Sequence, residues 1–230
     1  MKFYFLLLTL TLAGCTSTPT HPQDPLEPLN RRVFHFNEAT DKAILKPVAQ
    51  GYDFVMPAFG KLLVNNFFSN LEDVVITVND LLQLKFAQAA SDGSRVLFNS
   101  TFGVFGLFNV TDRLEKHNED FGQTLGFWGV PNGPYLVLPI LGPSAVRDGV
   151  GLYADIQTNP GTHIEHIPTR NQVYVLDKIN LRAKLLAQEK VLDTAAIDRY
   201  SFIRDSYLQR RLSHVYDGNP PRVKFDEDDL

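Results

Sequence analysis

Along this chain apolar positions recur at helical spacing in several stretches, crowd together in others and alternate almost nowhere. The first stretch, Phe3 to Leu12, follows the single charge of Lys2 and precedes Ala13 and Gly14. It is far shorter than the roughly 20 residues a spanning helix needs, and it reads as a secretory signal covering 1–14; an uncleaved anchor is the alternative. Residues 15–23 form a polar tether. Asp24-Pro25-Leu26-Glu27 announces a helix, with Asp24 placed to cap, Pro25 suited to the first turn and Glu27 completing a capping box. Leu26, Leu29, Val33 and Phe36 follow at helical spacing. Pro47 and Pro57 break or restart the chain, so two or three short helices are expected there.

Asn70 is read as the cap of a helix whose stripe is Leu71, Val74, Val75, Val78, Leu81 and Leu82. Another helix covers Phe86 to Phe102 and runs into FGVFGLF (102–108), apolar on every side. That segment either dips into one leaflet or packs in a core. Phe121 to Gly151 is rich in Gly and Pro: a short helix through Trp128, a turn at Pro131-Asn132-Gly133, and a strand at Tyr135 to Leu141 in a small hairpin. Pro143-Ser144 is read as a helix start, with Gly149 and Gly151 as weak points. Two further helices are expected at 169–187 and about 196–215, and the tail over 217–230 is acidic at its end and expected to be disordered. The whole is mainly α: one helical domain over 24–216 with one small hairpin.

Composition changes the picture at few points. Cys15 is the only cysteine, so the mature chain has no disulfide. Leu12-Ala13-Gly14-Cys15 resembles the lipobox of bacterial lipoproteins. That resemblance implies diacylglycerol on the Cys15 thiol, cleavage after Gly14 and acylation of the new amine; no other cofactor is implied. Thr16, not Asp, follows the cysteine, which in that class implies sorting to the outer membrane. Processing leaves 216 residues with 21 basic and 26 acidic side chains, and with no Lys/Arg block nucleic acid is a poor partner and none is expected. The 17 phenylalanines are many, and several sit in stretches too greasy for an ordinary surface.

DPLEPLNRRVFHFN (24–37) and FGQTLGFWGVPNGPYLVLPILGPSAVRD (121–148) resemble the MlaA/VacJ family, as do NNFFSNLED (65–73) and YSFIRDSYLQR (200–210). The resemblance spans nearly the whole mature chain. It implies an outer-membrane lipoprotein, a ring of short helices lying in one leaflet around an amphipathic channel, that removes misplaced phospholipid from the outer leaflet. It also implies a trimeric porin as partner, a soluble periplasmic carrier as recipient of the lipid, and an ATP-driven inner-membrane complex beyond it.

On this reading the first helix offers polar and apolar contacts for a lipid: Asn30, Arg31 and Asn37 lie among Phe34 and Phe36. The resemblance places channel control near Phe36-Asn37, although Asn37-Glu38-Ala39 departs from the family's repeated Asn-Phe-Asn. Phe34 and Phe36 equally suit plain core or lipid-facing anchors. Gly129 and Gly133 map onto the family's flexible hairpin and are candidates for a gating turn; Pro131, where the pattern has glycine, stiffens it. A turn glycine needing only positive φ is the plainer reading. Arg147-Asp148 reads as an ion pair or helix-start feature, with a headgroup role for Arg147 as the alternative, since guanidinium matches phosphate.

No enzyme pattern emerges. Gly142-Pro143-Ser144-Ala145-Val146 lacks the last glycine of a nucleophile elbow, and His163, Glu165 and His166 lack the spacing of a helical zinc motif. The reading from another class is a structural, porin-binding lipoprotein without transport activity, which would also carry amphipathic, Phe-rich surface.

Overall fold

The computed structural model describes residues 21–195 and 197–221. The signal, Cys15, tether residues 16–20 and tail residues 222–230 lie outside the described residues. From the N-terminal side, α1 (Glu27–Thr40) runs through a π-helical turn (Asp41–Leu45) into α2 (Lys46–Val55). The break expected at Pro47 is absorbed instead of made. Proline offers no N–H to the ladder, and the widened turn beside it, closed by Lys46 N–H to Asp41 O, lets the helix continue. Asp24 does not cap α1. Leu26 holds that position without a side-chain bond, and the buried Asp24 carboxylate accepts from Asn30 Nδ2 at 2.8 Å and Tyr200 OH at 2.5 Å.

After Pro57 comes α3 (Ala58–Leu82), a three-residue connection and α4 (Phe86–Thr101), packed as an antiparallel pair. Asn70, expected as a cap, lies inside α3, because its amide finds a partner across the pair in Ser100 Oγ at 2.9 Å. The segment 102–108 is not core. Phe102 and Phe105 are 73% and 76% exposed while Gly103 and Gly106 face inward. Gly106 has φ +85°, and a Cβ there would lie 2.6 Å from the Asn70 side chain, so the backbone fits where no larger residue could.

The short α5 (Phe121–Phe127) is capped by Asp120, which accepts from Gln123 N. The hairpin pairs β1 (Tyr135–Leu138) with β2 (Gly142–Ala145), Tyr135 opposite Ala145 and Leu138 opposite Gly142. The strand expected to reach Leu141 stops at Leu138 because Ile140 (φ +65°) and Gly142 (φ +88°) turn the chain. Pro143 and Ser144 therefore belong to β2, and α6 (Val146–Thr158) starts after Ala145. A 3-10 turn (Pro160–His163), α7 (Ile167–Ala195) and α8 (Arg199–Val215) complete the mainly helical fold.

Among the described residues, buried apolar side chains form a cluster where α1, the hairpin and α8 meet, around Phe34, Tyr135, Val137 and Tyr200. Asn30 holds it together, donating to Tyr135 O at 3.0 Å and accepting from Val137 N at 3.0 Å. Elsewhere the usual partition is reversed. Among the described residues twenty buried side chains are polar or charged and nine are hydrophobic, whereas Phe54 (90% exposed), Val55 and Phe59 face outward. Charged groups are seldom fully buried unless paired, and here most are. Arg95 bonds Asp73 at 3.1 Å, His117 meets Asp92 at 2.6 Å, and Arg211 bonds Asp120 and Asp148 together. Arg147-Asp148 is both things expected of it, an ion pair at 3.2 Å and part of the first turn of α6.

Asp80 is the exception: fully buried on α3, neither carboxyl oxygen accepts a hydrogen bond. Burial, then the nearby Asp92 and Glu119, push its pKa up to about 7. A folded-state value above the ordinary 3.8 means that the native state binds the proton more tightly, so stability falls as pH rises from about 4 to about 7. Thermal unfolding in detergent should thus show a less stable protein at pH 8 than at pH 5, and Asp80→Asn should flatten that difference. An unchanged pH slope in the variant would contradict the assignment.

Candidate functional site

A half-open cavity of about 1050 Å³ lies between α3, the 116–120 loop, α6, the 3-10 turn and α7. This is at the upper end of small-molecule sites, which run from roughly 300 to 1,000 Å³. Its wall mixes two chemistries. Phe68, Leu71 and Val75 of α3, Leu152 and Ile156 of α6, and Val173 and Leu181 of α7 give apolar surface. Glu72, Lys116, Glu119, Asp120, Asp155, Arg170, Asp177, Lys178 and Lys184 give charge. From the hairpin only Leu141 reaches it.

The charges are organised. Lys116 Nζ bridges Glu72 at 2.7 Å and Asp73 at 2.9 Å, tying the 116–120 loop to α3. Glu119 is pushed up by burial, against which Lys85 at 2.9 Å and Gln83 at 2.8 Å act. Burial also acts upward on Asp120, but the Arg211 guanidinium outweighs it and holds that carboxyl below its usual range. Asp155, with Asn79 Nδ2 at 3.0 Å and the Phe121 N–H as donors, is pushed by burial up to about 6. The cavity can therefore accommodate a molecule with a charged head and an apolar body. On the wall Thr162 Oγ1 lies 3.2 Å from His163 Nδ1, and the hydroxyl bonds the backbone oxygens of Ile156 and Asn159, each at 2.7 Å.

The residues singled out from the sequence lie elsewhere. Asn30 and Phe34 belong to the α1–hairpin core. Arg31 bonds Glu27 at 2.8 Å and Asp198 at 2.6 Å and lies 4.3 Å over the Tyr200 ring, clasping α1 to α8. Phe36 is 54% exposed. The buried Arg147 guanidinium bonds Asp148 and Val130 O, so it straps the 129–134 turn to α6 and does not reach the cavity. Gly129 (φ +87°) and Gly133 (φ +70°) both need the left-handed region. A Cβ on Gly133 would come within 3.2 Å of Val146.

Asn37 is the one residue of that set with a line to the cavity. Its amide donates to Leu138 O at 2.9 Å and accepts from Ile140 N at 2.7 Å, which fixes the strained turn that carries Leu141. The wall residues on α7 went unmarked in the sequence because Arg170, Asp177, Lys178 and Lys184 look like any solvated helix face. Only their sharing one face with Val173 and Leu181 carried a signal.

The family model described as MlaA lipoprotein matches residues 22–214. The chain belongs to the MlaA lipoprotein family. The Escherichia coli K12 intermembrane phospholipid transport system lipoprotein MlaA is 33% identical, with 95% of this chain and 89% of that protein covered. Its Haemophilus influenzae counterpart of the same name is 29% identical over 93% of this chain and 89% of that one. An uncharacterized protein of Rickettsia bellii is 34% identical over 84% of this chain and 76% of its own length. A solved structure, described as the structural basis for maintenance of bacterial outer membrane lipid asymmetry, aligns with TM-score 0.74 and 32% identity. It covers 85% of this chain and 99% of that one.

The Asn37 clamp predicts a local effect. In Asn37→Ala the Ile140 amide loses its acceptor, and hydrogen exchange at Ile140 and Leu141 should accelerate at least tenfold while exchange in α3 and α7 stays as it was. Equal protection of Ile140 in both proteins would show that the clamp is not what holds the turn.

Proposed function

We propose that this chain is the outer-membrane lipoprotein of an intermembrane phospholipid transport system. Anchored by the acyl chains on Cys15, it lies in the inner leaflet, withdraws mislocalised phospholipid from the outer leaflet and hands it to a soluble periplasmic carrier, in company with a trimeric porin. The observation that carries this reading is the reversed partition: apolar side chains outside, charges inside, and a half-open cavity whose wall joins the two chemistries.

The physics runs from the helices. Both α3, with 25 residues, and α7, with 29, are longer than the sequence pattern indicated. Length alone would let each reach across the hydrocarbon at 1.5 Å per residue, but both carry charges, and among the described residues no helix is long and apolar enough to cross a membrane. Helices of this kind lie flat, greasy face to the acyl chains, provided every backbone and charged group finds a partner inside. A headgroup dragged through hydrocarbon is expensive; a path along the charged wall removes most of that barrier while the tails stay against apolar surface. No bond is made or broken. Lipid leaves a leaflet where it is unfavourable, and direction comes from the steps that follow.

Cells lacking this gene should accumulate surface phospholipid, read as a rise in palmitoylation of lipid A. The wild-type gene should reverse it and Cys15→Ala should not. No rise, with normal detergent resistance, would favour a porin-binding structural lipoprotein; lysophospholipid formed by the purified protein would favour an enzyme.

A further inference from the structure

The charges on the cavity wall do not cancel evenly, and the remainder has a position. Each wall carboxylate has a named partner: Glu72 has Lys116 at 2.7 Å, Glu119 has Lys85 at 2.9 Å, Asp177 has Lys178 at 3.0 Å and Asp120 has Arg211. Asp155 takes neutral donors, from Asn79 and the Phe121 N–H. Two wall cations are left without a carboxylate among the described residues. Arg170 forms no ion pair, and Lys184 donates only to the neutral amide oxygen of Asn65.

Both stand on α7, fourteen residues apart. At 3.6 residues per turn that is nearly four turns, so they share a face and lie about 21 Å apart along the helix. The face between them carries Val173 and Leu181 and the internally neutralised Asp177-Lys178 pair. An anion moving along α7 would meet a free cation at one end, apolar surface with no unpaired negative charge in between, and a second free cation at the other. Guanidinium and ammonium groups are the side chains that bind phosphate, the first in a bidentate fork and the second as a point charge.

We propose that Arg170 and Lys184 are two phosphate-holding positions of the cavity, each engaging the phosphodiester of a glycerophospholipid headgroup, one toward each end of the α7 wall. This rests on the transport reading and specifies the ligand chemistry within it. Two moderate sites in series suit passage better than one deep site, since a lipid must be held and also released.

The test is titration of the purified lipoprotein, in detergent, with dihexanoyl phosphatidylglycerol as the probe and sodium phosphate as competitor. Arg170→Gln and Lys184→Gln should each weaken binding about tenfold, Arg170→Lys should keep most of the affinity, and Lys42→Gln, at an exposed position outside the cavity wall, should stay within twofold of wild type. Neither glutamine variant removes a partner from a buried charge, and circular dichroism checks that both are folded. Unchanged affinity in both variants would overturn the proposal. Displacement of the lipid by inorganic phosphate at equal concentration would overturn it too, by marking a site for free phosphate. Surface phospholipid in cells lacking the gene separates this from the broader reading. If it rises while the variants bind normally, transport stands and these positions fall; if it does not rise while binding follows the charges, the positions stand and transport falls.

Discussion

The constraint on which this structure depends is that polar groups turned inward must be satisfied by one another. Arg211 holds Asp120 and Asp148 together, and Asp148 also accepts from Tyr207 OH at 2.6 Å. This single cluster joins α8, α6 and the cap of α5. A second cluster, Asp73 with Arg95 and Lys116, joins α3, α4 and the loop after them. A third, Arg182 with Asp41 and Glu189, joins α7 to the π-helical turn. In the first two clusters the central carboxylates, Asp148 and Asp73, are buried, and stripping a buried charge of its partners costs about 3–5 kcal/mol. The role that a hydrophobic core plays in most domains is here taken largely by ion pairs and amides.

That inversion leaves the outer surface free to be apolar and makes the interior a place where charge is tolerated. A half-open cavity bordering it has both properties, with leucine and valine from the helices and carboxylates already set in partnerships. The hairpin contributes through Leu141, fixed by the Asn37 amide. Support and wall are thus separate: α1, the hairpin and α8 form a compact apolar cluster, while α3, α6 and α7 line the space.

Much of the helical architecture was legible because it depends on spacing alone. The stripe through Leu71, Val75 and Val78 lies within α3, and the turn residues around Gly133 preceded a real hairpin. Spacing identifies a face and does not say which way it points. Leu29, Phe36, Leu81 and Leu82, which read as an ordinary amphipathic stripe, are exposed, while Asn30, Asp73 and Asp80 are buried. For the same reason Asn70 looked like a cap and Asp24 like a capping residue, since their actual partners, Ser100 and Tyr200, are distant in sequence. The family pattern in 121–148 was plain, but the cavity wall was not. Its charged residues are spread over three helices and a loop, and no short motif joins them.

An apolar exterior of this kind belongs in lipid, and Trp128 is placed to report on it. It is the only tryptophan, 60% exposed, beside Phe127, with its indole N–H held by Leu82 O at 3.0 Å. The decisive measurement is quenching of its fluorescence in reconstituted vesicles, by lipids brominated at successive acyl positions and by aqueous acrylamide. With Trp128 in the leaflet, quenching by shallow bromines is strong and quenching by acrylamide is slight. Efficient acrylamide quenching with no response to brominated lipid would put this face in water and contradict it.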